Sequence, residues 1–174
     1  EREESVDKRI ALIDNALSRW ASWPAMEELR YARKELTVPL STAVADKLRV
    51  TSKDQNNTVK VEVRNLSGLT LNITRTSLKG NHQYNVDDKN DLKAIKASLI
   101  PTSKQVIQRT YKDYKDYEVL KDSFNLPALP IGVYLLEFVP SDDRLAKDYS
   151  LYYVSDLFVM TEEKPGKRNR YVVV

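Results

Sequence analysis

Only one histidine occurs in the chain, His82, and it lies in the polar stretch Lys79–Asn85, "KGNHQYN". A Ser–His–Asp relay or a metal centre needs its imidazole held among convergent partners. A turn of this composition supplies none. Cysteine is absent altogether, which removes disulfides, zinc–thiolate sites and thiol nucleophiles together.

Three further stretches bring charges or aromatics together. "VDDKNDL", Val86–Leu92, resembles the start of a calcium loop. It lacks the glycine at the turning position, and Leu99 falls where the closing bidentate Glu belongs. A solvated turn capping a short helix is the expected form. "YKDYKDYE", Tyr111–Glu118, interleaves tyrosine with both charge signs. Stacking on sugars or bases is conceivable there, but Asp113, Asp116 and Glu118 cancel the basic excess a nucleic acid would need. "KPGKRNR", Lys164–Arg170, is the basic cluster, placed between two strand-like runs as a hairpin loop or interdomain connection would be. Asn56, Asn65 and Asn72 each begin a glycosylation-type tripeptide. Short polar-rich strands generate such matches by chance.

No Gly-rich phosphate loop, paired-carboxylate cleft or Cys/His set accompanies these stretches. The expectation is therefore a protein that is not an enzyme, with no catalytic, cofactor-binding or metal-binding residues and no cofactor. The 174 residues carry 41% hydrophobic and 30% charged side chains and a net charge of +3. That is enough chain for a core without disulfides or metal. The small mixed charge argues against an obligatory nucleic-acid or membrane partner. No apolar run approaches the ~18 residues that span a bilayer. The chain opens on Glu1 and closes on the strand-like Tyr171–Val174, so both ends are expected to continue into something longer.

The elements holding these residues begin helically. Val6, Ile10, Ile13, Leu17 and Trp20 recur at spacings of three and four and share one face. Pro24 is expected at the first position of a second helix, with Glu27 and Glu28 in its first turn. Met26, Leu29, Ala32, Arg33 and Leu36 continue that helix, which makes residues 1–38 an antiparallel hairpin. Its Trp20, Leu29 and Leu36 are too costly to leave wet, so it should dock on the remainder or on a neighbour.

Beyond Pro39 the period changes to two. Val59, Val61 and Val63 alternate with Lys60, Glu62 and Arg64; Leu69, Leu71 and Ile73 alternate with Thr70, Asn72 and Thr74. The intervening "NLSG" reads as the turn of a β-hairpin with one wet face. Further strand runs are Val106–Tyr111, Val133–Val139, Tyr149–Val154, Leu157–Met160 and Tyr171–Val174, with a weaker one near Leu40–Val50. A helical turn or two is expected within Asp91–Leu99. About seven or eight short antiparallel strands suit a two-sheet sandwich over residues 39–174.

"FNLPALPIGVYLLEF", Phe124–Phe138, places two prolines and a glycine before the densest apolar run. It resembles the lead-in to a macroglobulin-type β-sandwich strand in bacterial alpha-2-macroglobulin-like proteins, especially those of Bacteroidetes. "LRYARKELTVPLST" resembles their passage from helices into a first strand. "VKVEVRNLSGLTLNITRTSL" resembles their paired strands around an "RN-L" turn, and "YYVSDLFVM" their closing strand. The likeness spans roughly residues 29–174.

It implies a mainly β fold: an Ig-like, macroglobulin-type antiparallel sandwich of about seven strands after an N-terminal α-helical hairpin. It also implies a structural domain of a large protease-trapping protein of the bacterial cell envelope, exported to the periplasm or surface. The partners would be neighbouring domains of the same longer chain and the target proteases of the whole protein. Pro127, Pro130 and Gly132 would shape the loop. Val133 and Leu135 would point into the core, and Tyr134 and Leu136 onto a second apolar surface. Thioester chemistry is outside these residues, since Cys is missing. The alternative is a stand-alone sandwich binding carbohydrate or host protein through the rim Tyr111–Tyr117.

Overall fold

The computed structural model describes residues 5–44, 48–51, 57–79, 83–112, 117–156, 159–162 and 170–173. Two helices come first, α1 (Val6–Arg19) and α2 (Met26–Thr37). Ile10 and Met26 are their buried side chains, and an Asp14–Arg33 ion pair ties the two together. Leu29 and Leu36 are half-buried. Trp20, expected on the apolar stripe, is 50% exposed. Pro24 lies two residues ahead of α2 rather than at its first position. The Met26 and Glu27 amides bond to the Trp23 and Pro24 carbonyls, so a tight turn precedes the helix.

Among the described residues ten strands follow: β1 (Leu40–Val44), β2 (Leu48–Thr51), β3 (Thr58–Arg64), β4 (Gly68–Arg75), β5 (Gln105–Thr110), β6 (Leu120–Asn125), β7 (Gly132–Pro140), β8 (Asp148–Val154), β9 (Val159–Glu162) and β10 (Arg170–Val173). Helix α3 (Lys89–Ala97) lies between β4 and β5. The fold is mainly β, a two-sheet sandwich. One sheet has the order β1-β3-β6, the other β2-β8-β7-β4-β5. Every pairing in them is antiparallel except the edge pair β2–β8, which is parallel. Strands β9 and β10 pair antiparallel in a two-stranded sheet of their own.

The runs flanking "NLSG" do not form a hairpin. β3 belongs to the three-stranded sheet and β4 to the five-stranded one, so the chain crosses the sandwich between Arg64 and Gly68. Alternation explains the change. Val59, Val61 and Val63 from one sheet and Leu69, Leu71 and Ile73 from the other are all at most 2% exposed and meet in one core. Facing strands bury more apolar surface than paired neighbours with a common wet side. Leu66, 2% exposed, fills the corner, and Asn65 turns it in the left-handed region at φ 51°, a conformation Asn tolerates better than most residues. The far side of β4 is not wet either, since Asn72 and Thr74 are both buried.

β7 is central, between β4 and β8. Its two faces are the reverse of the expected assignment. Tyr134, Leu136 and Phe138 point between the sheets, where Phe138 meets Phe124 edge-on at 6.3 Å between ring centroids. Val133 and Leu135 lie on the outer face with Val86, Ile95 and Leu151. Within this chain that outer face is covered by α3, through Ile95, and not by the N-terminal hairpin. A Thr76–Leu99 bridge closes the excursion that carries α3 back over the sheet.

β6 had no counterpart among the expected strands, because "LKDSFN" keeps only Phe124 fully inside. After it, Leu126 and Leu129 of "LPALP" turn into the same core while Pro127 and Pro130 stay outside. The prolines hold the backbone that aims the two leucines.

Candidate interaction surface

His82 lies outside the described residues. Asp88 is the N-cap of α3, its carboxylate accepting from the Asn90 and Asp91 amides at 2.8 and 3.0 Å. The calcium-like stretch is thus a helix start. Among the described residues no group of three or more His, Cys, Asp or Glu could hold a metal ion.

The tyrosine-rich rim is drawn into the fold at both ends. The Tyr111 hydroxyl donates to Asp122 at 3.1 Å, and the Tyr117 amide donates to the Asn65 side-chain oxygen at 2.8 Å. Both residues are half-buried, while residues 113–116, including Tyr114, lie outside the described part. Asp122 also faces Arg109, whose guanidinium sits 5.8 Å from the Phe124 ring centroid. Together these groups seal an edge of the sandwich and present no platform of aromatic faces. The basic cluster before Arg170 lies outside the described residues, as does Asn56. Asn72 and Asn65 spend their amides internally, on Glu137 at 2.8 Å and the Thr37 carbonyl at 3.0 Å.

Glu137 is a half-buried carboxylate on the outer face of β7. It accepts from Lys147 at 3.0 Å and from Asn72. Burial pushes its pKa up, but the hydrogen bonds from Lys147 and Asn72, with the charges of Lys147 and Lys96, outweigh that and hold it below the usual range. Such a group stays ionised at neutral pH and has no proton to give. Lys96 bonds the Tyr149 hydroxyl at 2.9 Å, so it too is engaged. No buried side-chain nitrogen or oxygen among the described residues lacks a partner.

What is left open is surface. The outside of β3 and β6 forms an open hollow lined by Lys60, Glu62, Lys121 and Ser123, of mixed charge. The hairpin carries the larger apolar exposure: Leu12 at 60%, Trp20 at 50%, Trp23 at 60% and Tyr31 at 66%. Exposed large aromatics such as these are candidates for an interaction surface. Sequence reasoning singled out Trp20 but not Leu12, Trp23 or Tyr31. Helical spacing identifies a buried stripe; Leu12 and Tyr31 lie off it, and Trp23 lies in the turn between the helices. It also missed the Arg64–Asn65 corner as a junction, although an Asn placed between two apolar strands was a usable signal.

No family model matches the chain, and no curated protein does. Among solved structures it is similar to native alpha-2-macroglobulin from Escherichia coli spanning domains MG0-NIE-MG1, at 16% identity and a TM-score of 0.47. That likeness covers 73% of this chain and 42% of the other. It is also similar to the NIE-MG1 portion of the same protein, at 14% identity and a TM-score of 0.44, over 74% of this chain and 65% of the other. The chain spans less than half of the longer of these structures and under two thirds of the shorter.

Proposed function

We propose that the chain is a structural domain of a large alpha-2-macroglobulin-like, protease-trapping protein of the bacterial cell envelope, of Bacteroidetes type, with no chemistry of its own. One contrast supports this most. The sandwich is closed and internally satisfied, with α3 over the outer face of its central strand, whereas the hairpin exposes Leu12, Trp20, Trp23 and Tyr31. A building block in a longer chain needs such a surface for its neighbour. The order of the four motifs that resemble this family supports the same reading. Neighbouring domains are then the immediate partners, and proteases are targets of the whole protein only.

The test compares the isolated chain with the product of its full reading frame. Acrylamide quenching should reach both tryptophans in the isolated chain and be strongly reduced in the longer product. A reading frame that adds no further domain, or quenching that is unchanged in the longer product, would contradict the proposal.

A further inference from the structure

Only Val38 and Pro39 separate α2 from β1, so the direction of the helical hairpin depends on the few backbone dihedrals of that link and on whatever holds it from outside. Here the corner between β3 and β4 reaches back to the helix. The Arg64 guanidinium donates through Nη2 to the Glu35 carbonyl at 2.7 Å and the Val38 carbonyl at 3.1 Å, and through Nε to Val38 at 3.2 Å. The Asn65 side chain donates to the Thr37 carbonyl at 3.0 Å. These are carbonyls at the C-terminal end of α2, which the helix itself cannot satisfy and where its dipole favours a cation. Arg64 is paired in register with Leu40, the first residue after the link, so the guanidinium spans the same gap the chain does. Pro39 is buried within the link.

The same asparagine is fixed from the other side. Its oxygen accepts from the Tyr117 amide, and Tyr117, like Asn65, holds a left-handed backbone, at φ 69°. Helix end, sheet corner and the segment leading into β6 therefore converge on two side chains.

We propose that Arg64 and Asn65 form a rigid joint that sets the direction of the helical hairpin against the β-sandwich, so that the two move as one body. A force applied to the exposed hairpin is then passed into β3 and β4 and not absorbed by the Val38–Pro39 link. The joint concerns the geometry of this chain alone and stands or falls separately from the proposed function.

The absence of native cysteine permits spin labels at Glu28→Cys on α2 and Gln108→Cys on β5, both at exposed positions. Double electron–electron resonance then reads the distance distribution between hairpin and sandwich. The joint predicts one narrow distribution. Arg64→Ala or Asn65→Gly should broaden it roughly twofold, because either frees a linker only two residues long. Asn65→Gly keeps the left-handed backbone accessible, so the sandwich should stay folded, with its circular dichroism unchanged. A broad distribution with Arg64 and Asn65 intact, or a narrow one in both variants, would overturn the joint.

Discussion

The guanidinium of Arg75 lies so close against Gly132 that a β-carbon there would stand 2.9 Å from its Nε. The same Arg75 donates through Nη2 to the Ile131 carbonyl at 2.9 Å, and the Tyr134 hydroxyl donates to the Pro130 carbonyl at 2.7 Å. Two successive carbonyls of the lead-in loop are thereby held from the sheet it feeds. Gly132 itself sits at φ 157°, at the margin of what a side chain accepts. The loop, the glycine and the central strand form one unit.

Gly132→Ala should lower the unfolding free energy by roughly 1 kcal/mol or more, since the residue is strained in backbone and crowded by Arg75. Equilibrium denaturation measures it. The loss should be smaller in an Arg75→Ala background, where the crowding atoms are gone. An equal loss in both backgrounds would put the whole effect in the backbone and remove the contact from the account.

Both faces of β7 are buried, so truncation on either should hurt. Leu135→Ala, under α3, and Leu136→Ala, between the sheets, should each cost about 2–5 kcal/mol. Ile95→Ala should destabilise in the same range, because Ile95 is fully buried on α3 against that outer cluster. An unchanged midpoint for Ile95→Ala would mean that α3 does not cover the sheet.

That double burial is where the sequence was legible and also where it misled. Alternation along Val59–Val63, Leu69–Ile73 and Val133–Phe138 identified strands and a sandwich. Period-2 patterns, however, say which residues share a face, not which sheet a strand joins or what covers the face. The sheet change at Asn65, the reversed faces of β7 and the cover supplied by α3 all depend on contacts distant in sequence. β6 escaped notice because an edge strand with one fully buried side chain leaves little pattern. The corner Arg64–Asn65 was equally hidden, since its partners are backbone carbonyls of another element.

The Asp88 cap predicts a selective effect. Asp88→Ala should cost about 1 kcal/mol, and Asp88→Asn much less, as Asn caps nearly as well. Amide hydrogen exchange in the first turn of α3 should follow the same order. Equal losses from both substitutions would show that the charge matters and the capping bonds do not.

Stability should depend on pH through Glu137. Its folded pKa lies below the unfolded one, so its contribution is present above the ordinary carboxyl range and lost as pH falls through the lower folded value. Lys147 is raised by its hydrogen bond to Glu137. Its share is therefore present below the ordinary lysine range and lost as pH rises through the higher folded value. Glu137→Gln should flatten the acid side of the stability profile at and below the ordinary carboxyl range. An acid limb of unchanged slope in the variant would exclude Glu137 as a contributor.

The central claim, an architectural unit without chemistry, is tested most directly by titrating the purified chain against several proteases acting on a large protein substrate. Loops can be nicked in such an experiment, and nicking is not inhibition. The account predicts that substrate cleavage continues at an unchanged rate at every ratio of chain to protease. Stoichiometric protection of the substrate would contradict it and place an inhibitory surface within these residues.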